Sequence, residues 1–406
     1  MKISGLDLTT QEFIPILFGS DRNVYGMAVG FYLEYHIKSI AVCKAGYGET
    51  RYSQLLEIYQ NSEIEKKEVF FGTLEGIRKK YSKAKLILIA CSDVYARLIV
   101  ENKPQLEKDF IVPYISEEMM NKLIIKENFY KTCEEHGLDY PKTFICTKEI
   151  YKDIKLPFDF PIIVKPSDSV SYWKSSFEGK KKIFVVYKDE EFRDILSRVY
   201  GSTYEGDLII QEYIEGDDSA LRVLNAYVDH NHKVTFMALG QIVLEDKAPA
   251  SYGDYDAIVP AFDQKLFDTM KAFLESIDYV GYANFDLKYN AKTGGYKLFE
   301  INIRQGRSHS FVTLGGLNLP KYLVEDVIYH RSGPTEYLKA DYLWAIVPKR
   351  IVLRYTKNAE LKERCRQYYK EGKVKNILYF KDDLTLKRRL VLARKISDKK
   401  YFLYYK

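Results

Sequence analysis

Apolar residues along the chain gather into short runs, and the spacing of their neighbours decides which element each run forms. Phe13-Ile-Pro-Ile-Leu-Phe18 is a continuous apolar strand that runs into Gly19-Ser20-Asp21-Arg22-Asn23. Beyond that turn, Met27, Phe31 and Leu33 mark a helical pattern. Ser39 to Cys43 and Leu86 to Cys91 are further strands, the latter followed by Ser92-Asp93, residues suited to open a helix. This strand–helix alternation predicts a small Rossmann-like parallel α/β domain over residues 1–115. Open sheets of this kind bind ligands at the carboxyl ends of their strands, where Ser20, Asp21, Asn23, Ser92 and Asp93 stand. Taken singly, Ser92 and Asp93 serve equally well as helix caps.

From Ser116 the texture changes. Ser116 to Glu135 reads as one long helix that opens on a serine cap and two acids, and Gly137 stops it. Pro141 to Cys146 begins a strand, and Phe160-Pro-Ile-Ile-Val-Lys165-Pro166 is an apolar strand with a lysine near its end. A lysine there must snorkel outward or meet an anion. The hydroxyl-rich segment Ser167 to Ser176 has the place of a phosphate-covering loop. Asp207 to Ile214 is another strand, leading into Glu215-Gly216-Asp217-Asp218, whose backbone can pair with a purine edge and whose acid can hold ribose hydroxyls. Leu221 to Val228, Val234 to Leu244 and Val280 to Tyr289 predict an antiparallel sheet, interrupted by the polar loop Glu245 to Tyr255. Helices near Asp263 to Ser276 and Leu319 to His330 complete an α+β domain over 116–334, with a lid subdomain over about 142–210.

One strand stands apart. In Phe299-Glu300-Ile301-Asn302-Ile303-Arg304, period-2 alternation turns Glu300, Asn302 and Arg304 to a single face. Hard oxygens from a carboxylate and an amide suit Mg²⁺, and a guanidinium fork suits phosphate. Asp286 lies on the preceding strand, and Gly294-Gly295 marks a hairpin that brings it beside Glu300. The competing reading is the polar outer face of a surface hairpin.

Composition narrows the classes. The 406 residues exceed one ordinary core, and 46% hydrophobic with 29% charged residues is that of a folded protein. No apolar run reaches membrane-span length and the start, MKISGLDLTT, is no signal peptide, so a cytoplasmic protein without integral membrane segment is expected. Cys43, Cys91, Cys133, Cys146 and Cys365 form no CxxC pair, which points to reduced thiols rather than zinc or disulfides. The net charge of +6 hides an asymmetry: residues 335–406 hold 20 Lys or Arg against 8 Asp or Glu. This basic C-terminal section carries no nucleic-acid signature, so it is either a solvated face or a contact for a polyanionic substrate.

The order Lys126, FPIIVKP, IIQEYIEGDD, FDLK and FEINIRQGRS resembles the ATP-grasp superfamily of carboxylate–amine ligases over residues 116–330. PILFGSDRNVYGMA, TRYSQL, GDDSALRVLNAYVD, LEDKAPASYG and LFEINIRQGRS carry a closer likeness to the D-aspartate ligases of Gram-positive peptidoglycan synthesis. The resemblance implies an ATP-grasp fold and the cofactors ATP and Mg²⁺. It assigns Lys126 and Lys165 to the α- and β-phosphates, Gln211 with the backbone at Tyr213 and Ile214 to adenine, and Asp218 to the ribose. Asp286, Glu300 and Asn302 become the Mg²⁺ ligands, and Arg304, with Lys165, acts on the transferring phosphoryl group.

The implied reaction activates the β-carboxylate of D-aspartate as an acyl phosphate and joins it to the lysine amine of a UDP-linked muropeptide precursor. Cationic or N–H-rich holders for the second carboxylate are Arg307, Ser308, Arg222 and Lys288, with Arg51 and the Gly19-Ser20-Asp21 turn in support. His309 is expected to be structural rather than catalytic. Lys387, Arg388 and Arg389 are the expected contacts of the polyanionic acceptor. Another amino-acid substrate, a dipeptide product, or a catalytically silent nucleotide-binding protein are the alternatives; the sequence leaves oligomeric state open.

Overall fold

The computed structural model describes residues 3–395 except 47, 168–171, 173, 182 and 248–252. Much of the expected phosphate-covering loop, part of the Glu245–Tyr255 loop and the Tyr- and Lys-rich finish therefore lie outside the described residues. The chain divides into two compact units: Met1–Asn128 with Asp217–Leu287 and Glu300–Lys406, and Phe129–Gly216 with Lys288–Phe299.

The first unit opens with the expected parallel sheet: β1 (Phe13–Phe18), β2 (Ser39–Cys43), β3 (Leu56–Gln60) and β4 (Lys85–Ala90), in the order β3-β2-β1-β4. Leu17 pairs with Ala41 on one side and Ile89 on the other, so β1 is central, and its six residues are all buried. Such double burial explains the unbroken apolar run. The helix Arg22–Tyr35 follows with most residues buried, against the usual single apolar stripe. Gly26 and Gly30 permit this: a Cβ at Gly26 would stand 2.9 Å from His309 Nε2, and one at Gly30 would stand 2.9 Å from Pro320 Cγ. Each glycine costs helix stability of about 1 kcal/mol relative to alanine, offset by close approach of neighbouring segments.

The second unit holds β5 (Thr143–Cys146), β6 (Ile162–Pro166), β7 (Phe184–Val186) and β8 (Leu208–Glu212), an antiparallel sheet in the order β5-β8-β6-β7. The helix Asp189–Tyr200 covers it through Phe192, Ile195, Leu196 and Val199.

A larger sheet follows: β9 (Leu221–Val228), β10 (Val234–Glu245), β11 (Tyr255–Ala261), β12 (Gly281–Asn290), β13 (Gly295–Asn302), β14 (Glu336–Tyr337), β15 (Leu343–Ala345) and β16 (Val374–Lys375). Its order is β13-β12-β9-β10-β11-β15-β16, with β14 beside β10. The basic C-terminal section thus contributes strands, and Trp344, Ile351, Cys365 and Leu392 join the same apolar core as β1 and the helix Arg22–Tyr35. Most of the section's lysines and arginines are exposed, as expected of a solvated face, while its apolar residues are buried in this core.

Two further differences have local causes. The stretch predicted as one helix forms two, Glu117–Ile124 and Lys126–Glu135. Ile125 is extended (φ −80°, ψ 114°), and the Asn128 side chain donates to the carbonyl of Asn121. Arg388, expected at an acceptor, is completely buried. None of the described helices is long and apolar enough to cross a membrane.

Candidate active site

β13 ends at Asn302, two residues short of the expected strand end, and buried and part-exposed residues alternate only from Glu300 onward, through the bend at Ile303 and Arg304. Ile301 and Ile303 are buried, whereas Glu300, Asn302 and Arg304 are part-exposed. Asp286 on β12 joins them: Asn302 Nδ2 donates to Asp286 Oδ2 at 3.3 Å and to Asn284 Oδ1 at 3.2 Å. The Tyr255 hydroxyl donates to Asp286 Oδ1 at 2.7 Å, and Lys126 Nζ lies 3.6 Å from Glu300 Oε2.

Electrostatics distinguish this face from a decorative hairpin. Burial, then the Glu300 carboxylate, push the Asp286 carboxyl up to about 7. The hydrogen bond from Tyr255, the Arg304 charge and the bond from Asn302 act the other way without cancelling the rise. Two hard carboxylates and an amide forced together in this manner fit a divalent cation such as Mg²⁺, whose charge relieves the repulsion. Arg304 stands just beyond the strand's end. Its guanidinium forms a bidentate pair with Asp93, both bonds 2.8 Å, and Nη2 approaches Asn302 Oδ1 at 3.5 Å. Burial acts to lower the Arg304 pKa, but Asp93 and then Asp286 outweigh it, so the group stays charged. A cavity of about 510 Å³ runs along Glu300–Ile303 and is lined also by Asp93, Arg97 and Glu65.

The residues after β13 face a second charged cluster. Arg307 Nε lies 2.7 Å from Asp21 Oδ2, and Nη1 donates to Asp254 Oδ2. Arg22 pairs with Asp256 at 3.3 Å. Ser308 and His309 are buried, and the His309 ring is pushed down to about 4 by burial, so it is neutral. That matches the structural role expected for it. Arg222 Nη1 donates to the carbonyls of Ser219 (2.6 Å) and Leu221 (2.9 Å). Asp218 accepts from Lys247 Nζ and from the Glu245 N–H, both at 3.0 Å. Lys247 also bonds Glu245 at 2.7 Å. Burial acts to lower the Lys247 pKa, yet the two acids hold it above its usual value.

In the second unit, Lys165 Nζ donates to Gln211 Oε1 at 3.1 Å. Gln211 is buried, and its Nε2 donates to Tyr130 (2.9 Å) and Thr143 (2.8 Å), which takes both amide hydrogens. In this arrangement both hydrogens of the Gln211 amide are taken within the protein and its oxygen accepts from Lys165. The Tyr213 N–H donates to the Pro161 carbonyl at 3.2 Å, and Lys288 Nζ sits 5.4 Å from the Tyr213 ring centroid. Ile214 is buried beside it in sequence.

Sequence reasoning did not single out Tyr255, Asn284, Lys247, Asp254 or Tyr130 as partners of these groups. For Lys247 a signal existed, since it lies within the LEDKAPASYG segment that carries the resemblance. Tyr130 and Asn284 gave none, because each partner lies on another strand or helix. All five cysteines are free and buried, and burial pushes Cys133 and Cys365 up to about 12 and Cys146 up to about 11.

No family model matches the chain. Its sequence is 43% identical over 413 residues to a D-aspartate ligase from Enterococcus faecium (strain Aus0004), covering 97% of this chain and 98% of that protein. Among solved structures it resembles a biotin carboxylase–β,γ-ATP complex from Campylobacter jejuni, with TM-score 0.59, 13% identity, and coverage of 82% of this chain and 74% of that one. It also resembles the biotin carboxylase domain of Hydrogenobacter thermophilus 2-oxoglutarate carboxylase, bound to MgADP, ADP and bicarbonate, with TM-score 0.58, 13% identity, and coverage of 82% and 74%.

Proposed function

This chain belongs to the D-aspartate ligase family and has the ATP-grasp fold, and from that premise we propose that it joins the β-carboxylate of D-aspartate to the lysine side-chain amine of a UDP-linked muropeptide precursor. It is a carbon–nitrogen ligase using ATP and Mg²⁺. The finer assignment of acid and acceptor is our own reading, as is a cytoplasmic site of action, where ATP and UDP-linked precursors are at hand. The observation that carries the reading is the cluster of Asp286, Glu300 and Asn302, with Asn302 bonded to Asp286, Lys126 beside Glu300 and Arg304 just beyond the strand, reaching Asn302.

A carboxylate resists amine attack because its oxygen is a poor leaving group. In the first step a β-carboxylate oxygen attacks the γ-phosphorus of ATP, the bond to the β-phosphate oxygen breaks and ADP departs. In the second, the neutral amine attacks the acyl carbon, phosphate leaves with the C–O bonding pair, and the nitrogen loses a proton. Both steps ask for positioning and charge neutralisation rather than a covalent nucleophile. Mg²⁺, when bound by Asp286, Glu300 and Asn302, supplies neutralisation of the phosphate oxygens. Lys126 and Lys165 serve the non-transferred phosphates, and Arg304 serves the moving phosphoryl group. Tyr213, Ile214, Gln211 and Asp218 serve the nucleoside, and Gln211 also holds Lys165 in place. The Arg307–Asp21–Asp254 cluster offers both signs of charge to a zwitterionic amino acid. Arg222, Lys288 and Ser308 are the further holders that the resemblance suggests for the second carboxylate.

The test is phosphate release from ATP in a matrix of D- and L-amino acids, with and without UDP-muropeptide. Release restricted to D-aspartate plus muropeptide supports the reading. Release with a different acid moves the substrate, and release with none favours a nucleotide-binding protein.

A further inference from the structure

The helix Leu386–Lys395 lies in the strongly basic section, yet its Arg388 is 0% exposed. The guanidinium stacks on Tyr25 with 3.7 Å between its carbon and the ring centroid. Its Nη1 donates to the backbone carbonyls of Glu49 (2.6 Å) and Arg51 (3.4 Å), and its Nε lies 3.7 Å from Asp383 Oδ2. Asp383, also 0% exposed, accepts from the Ser53 hydroxyl at 2.6 Å and from the Gln54 N–H at 2.7 Å. One buried ion pair therefore grips the 49–54 turn at both ends.

Burying such a pair is expensive, and an apolar pair of equal volume would often stabilise the fold as well. What an apolar pair cannot do is fix a turn by its carbonyls and N–H groups. The same turn faces the head of the helix Arg22–Tyr35: the Thr50 hydroxyl donates to the Ser20 carbonyl at 2.7 Å, and the Ser20 hydroxyl donates to the Ala45 carbonyl. The next residue, Asp21, holds Arg307 at 2.7 Å. Contacts thus run without a gap from Arg388, through the turn and Ser20–Asp21, to Arg307.

We propose that Arg388 and Asp383 are positioning residues: the C-terminal section clamps the 49–54 turn, and the turn sets Asp21 and with it the Arg307 guanidinium that receives the amino-acid substrate. This rests on the reading of Arg307 as a substrate contact. The experiment measures steady-state phosphate release by the full chain with muropeptide, varying D-aspartate and ATP separately, beside a thermal melt. Arg388→Met is expected to raise the D-aspartate KM about tenfold while the ATP KM stays within about twofold. Thr50→Val leaves the buried pair intact and is expected to raise the D-aspartate KM about threefold with an unchanged Tm. If Arg388→Met fails to fold, Thr50→Val decides alone. An unchanged D-aspartate KM in Thr50→Val, or equal rises in both KM values, overturns the proposal. Arg307→Lys separates the two readings: a raised D-aspartate KM there, with none in Thr50→Val, rejects only the clamp. No rise in Arg307→Lys rejects the substrate contact, and the clamp's purpose with it.

Discussion

Between pH 7 and pH 5 His309 should cost this fold stability, against an opposite contribution from Asp286, whose raised carboxyl takes up its proton in the folded chain. The ring is 0% exposed, and Nε2 lies 3.1 Å from the Asn23 carbonyl oxygen. A carbonyl only accepts, so Nε2 carries the hydrogen, and Nδ1 is buried with no hydrogen-bond partner among the described residues. Protonation would place a charged N–H at Nδ1 with nothing to receive it. Burial accordingly pushes the group from 6.5 down to about 4 in the folded chain. Between those values the ring in the unfolded chain binds more protons, so the stability that His309 contributes is complete above pH 6.5 and drains as the pH falls toward 4. The shift corresponds to about 3 kcal/mol in total, of which about 2 kcal/mol is lost between pH 7 and 5.

Urea unfolding at the two pH values measures this directly. Trp344 is the natural reporter, because its Nε1 donates to the hydroxyl of Ser310, the residue after His309. The chain has two tryptophans, so a Trp173→Phe background isolates the signal. His309→Gln keeps an amide donor for the Asn23 carbonyl and removes the titration. Wild type should lose about 2 kcal/mol more than the variant on going to pH 5. Equal losses in the two proteins would refute the assignment of an uncharged, unpartnered ring.

Glu300→Gln removes one hard ligand and should lower kcat at least about 100-fold at saturating ATP and Mg²⁺; phosphate release near the wild-type rate would reject the metal assignment. Asp93→Ala takes away the bidentate partner of Arg304, and kcat should fall about tenfold while the ATP KM stays within about twofold. A KM effect without a kcat effect would show that Asp93 is not orienting a group that acts on the moving phosphoryl. Gln211→Leu removes one acceptor of Lys165, and the expected result is an ATP Kd raised about tenfold by calorimetry. Chelation of Mg²⁺ with EDTA should abolish phosphate release, and added Mg²⁺ should restore it; EDTA-resistant turnover would contradict the role given to Asp286 and its neighbours.

What could be read from the sequence was whatever leaves a local period. The six-residue run of β1 records burial on both faces, and the alternation from Glu300 to Asn302 records the one face of β13 that meets the core there. The company of Glu300 and Asn302 was legible for the same reason, since alternate residues of a strand share a side, and Arg304 follows just beyond its end. Long-range partners leave no period. Nothing near Gln211 reveals that Tyr130 and Thr143 will take its amide hydrogens, and a basic helix gives no hint that Arg388 turns inward to carbonyls more than 300 residues earlier. The break at Ile125 was hidden because no proline or glycine marks it, and apolar periodicity continues across it. Resemblance could name roles for residues, but only coordinates show what each one already holds.

The bond from Arg388 to the carbonyl of Arg51 closes a sequence separation of 337 residues. A ribosome adding about 5–20 residues per second takes roughly 17–67 s to travel that distance. Throughout that interval the first α/β layer must exist as a nascent fold whose 49–54 turn lacks its final clasp. The helix Leu386–Lys395 is thus a completion step for an α/β layer made long before it, and a chain whose synthesis stalls before residue 388 would carry the strands of Asp286 and Glu300 yet leave that turn unset.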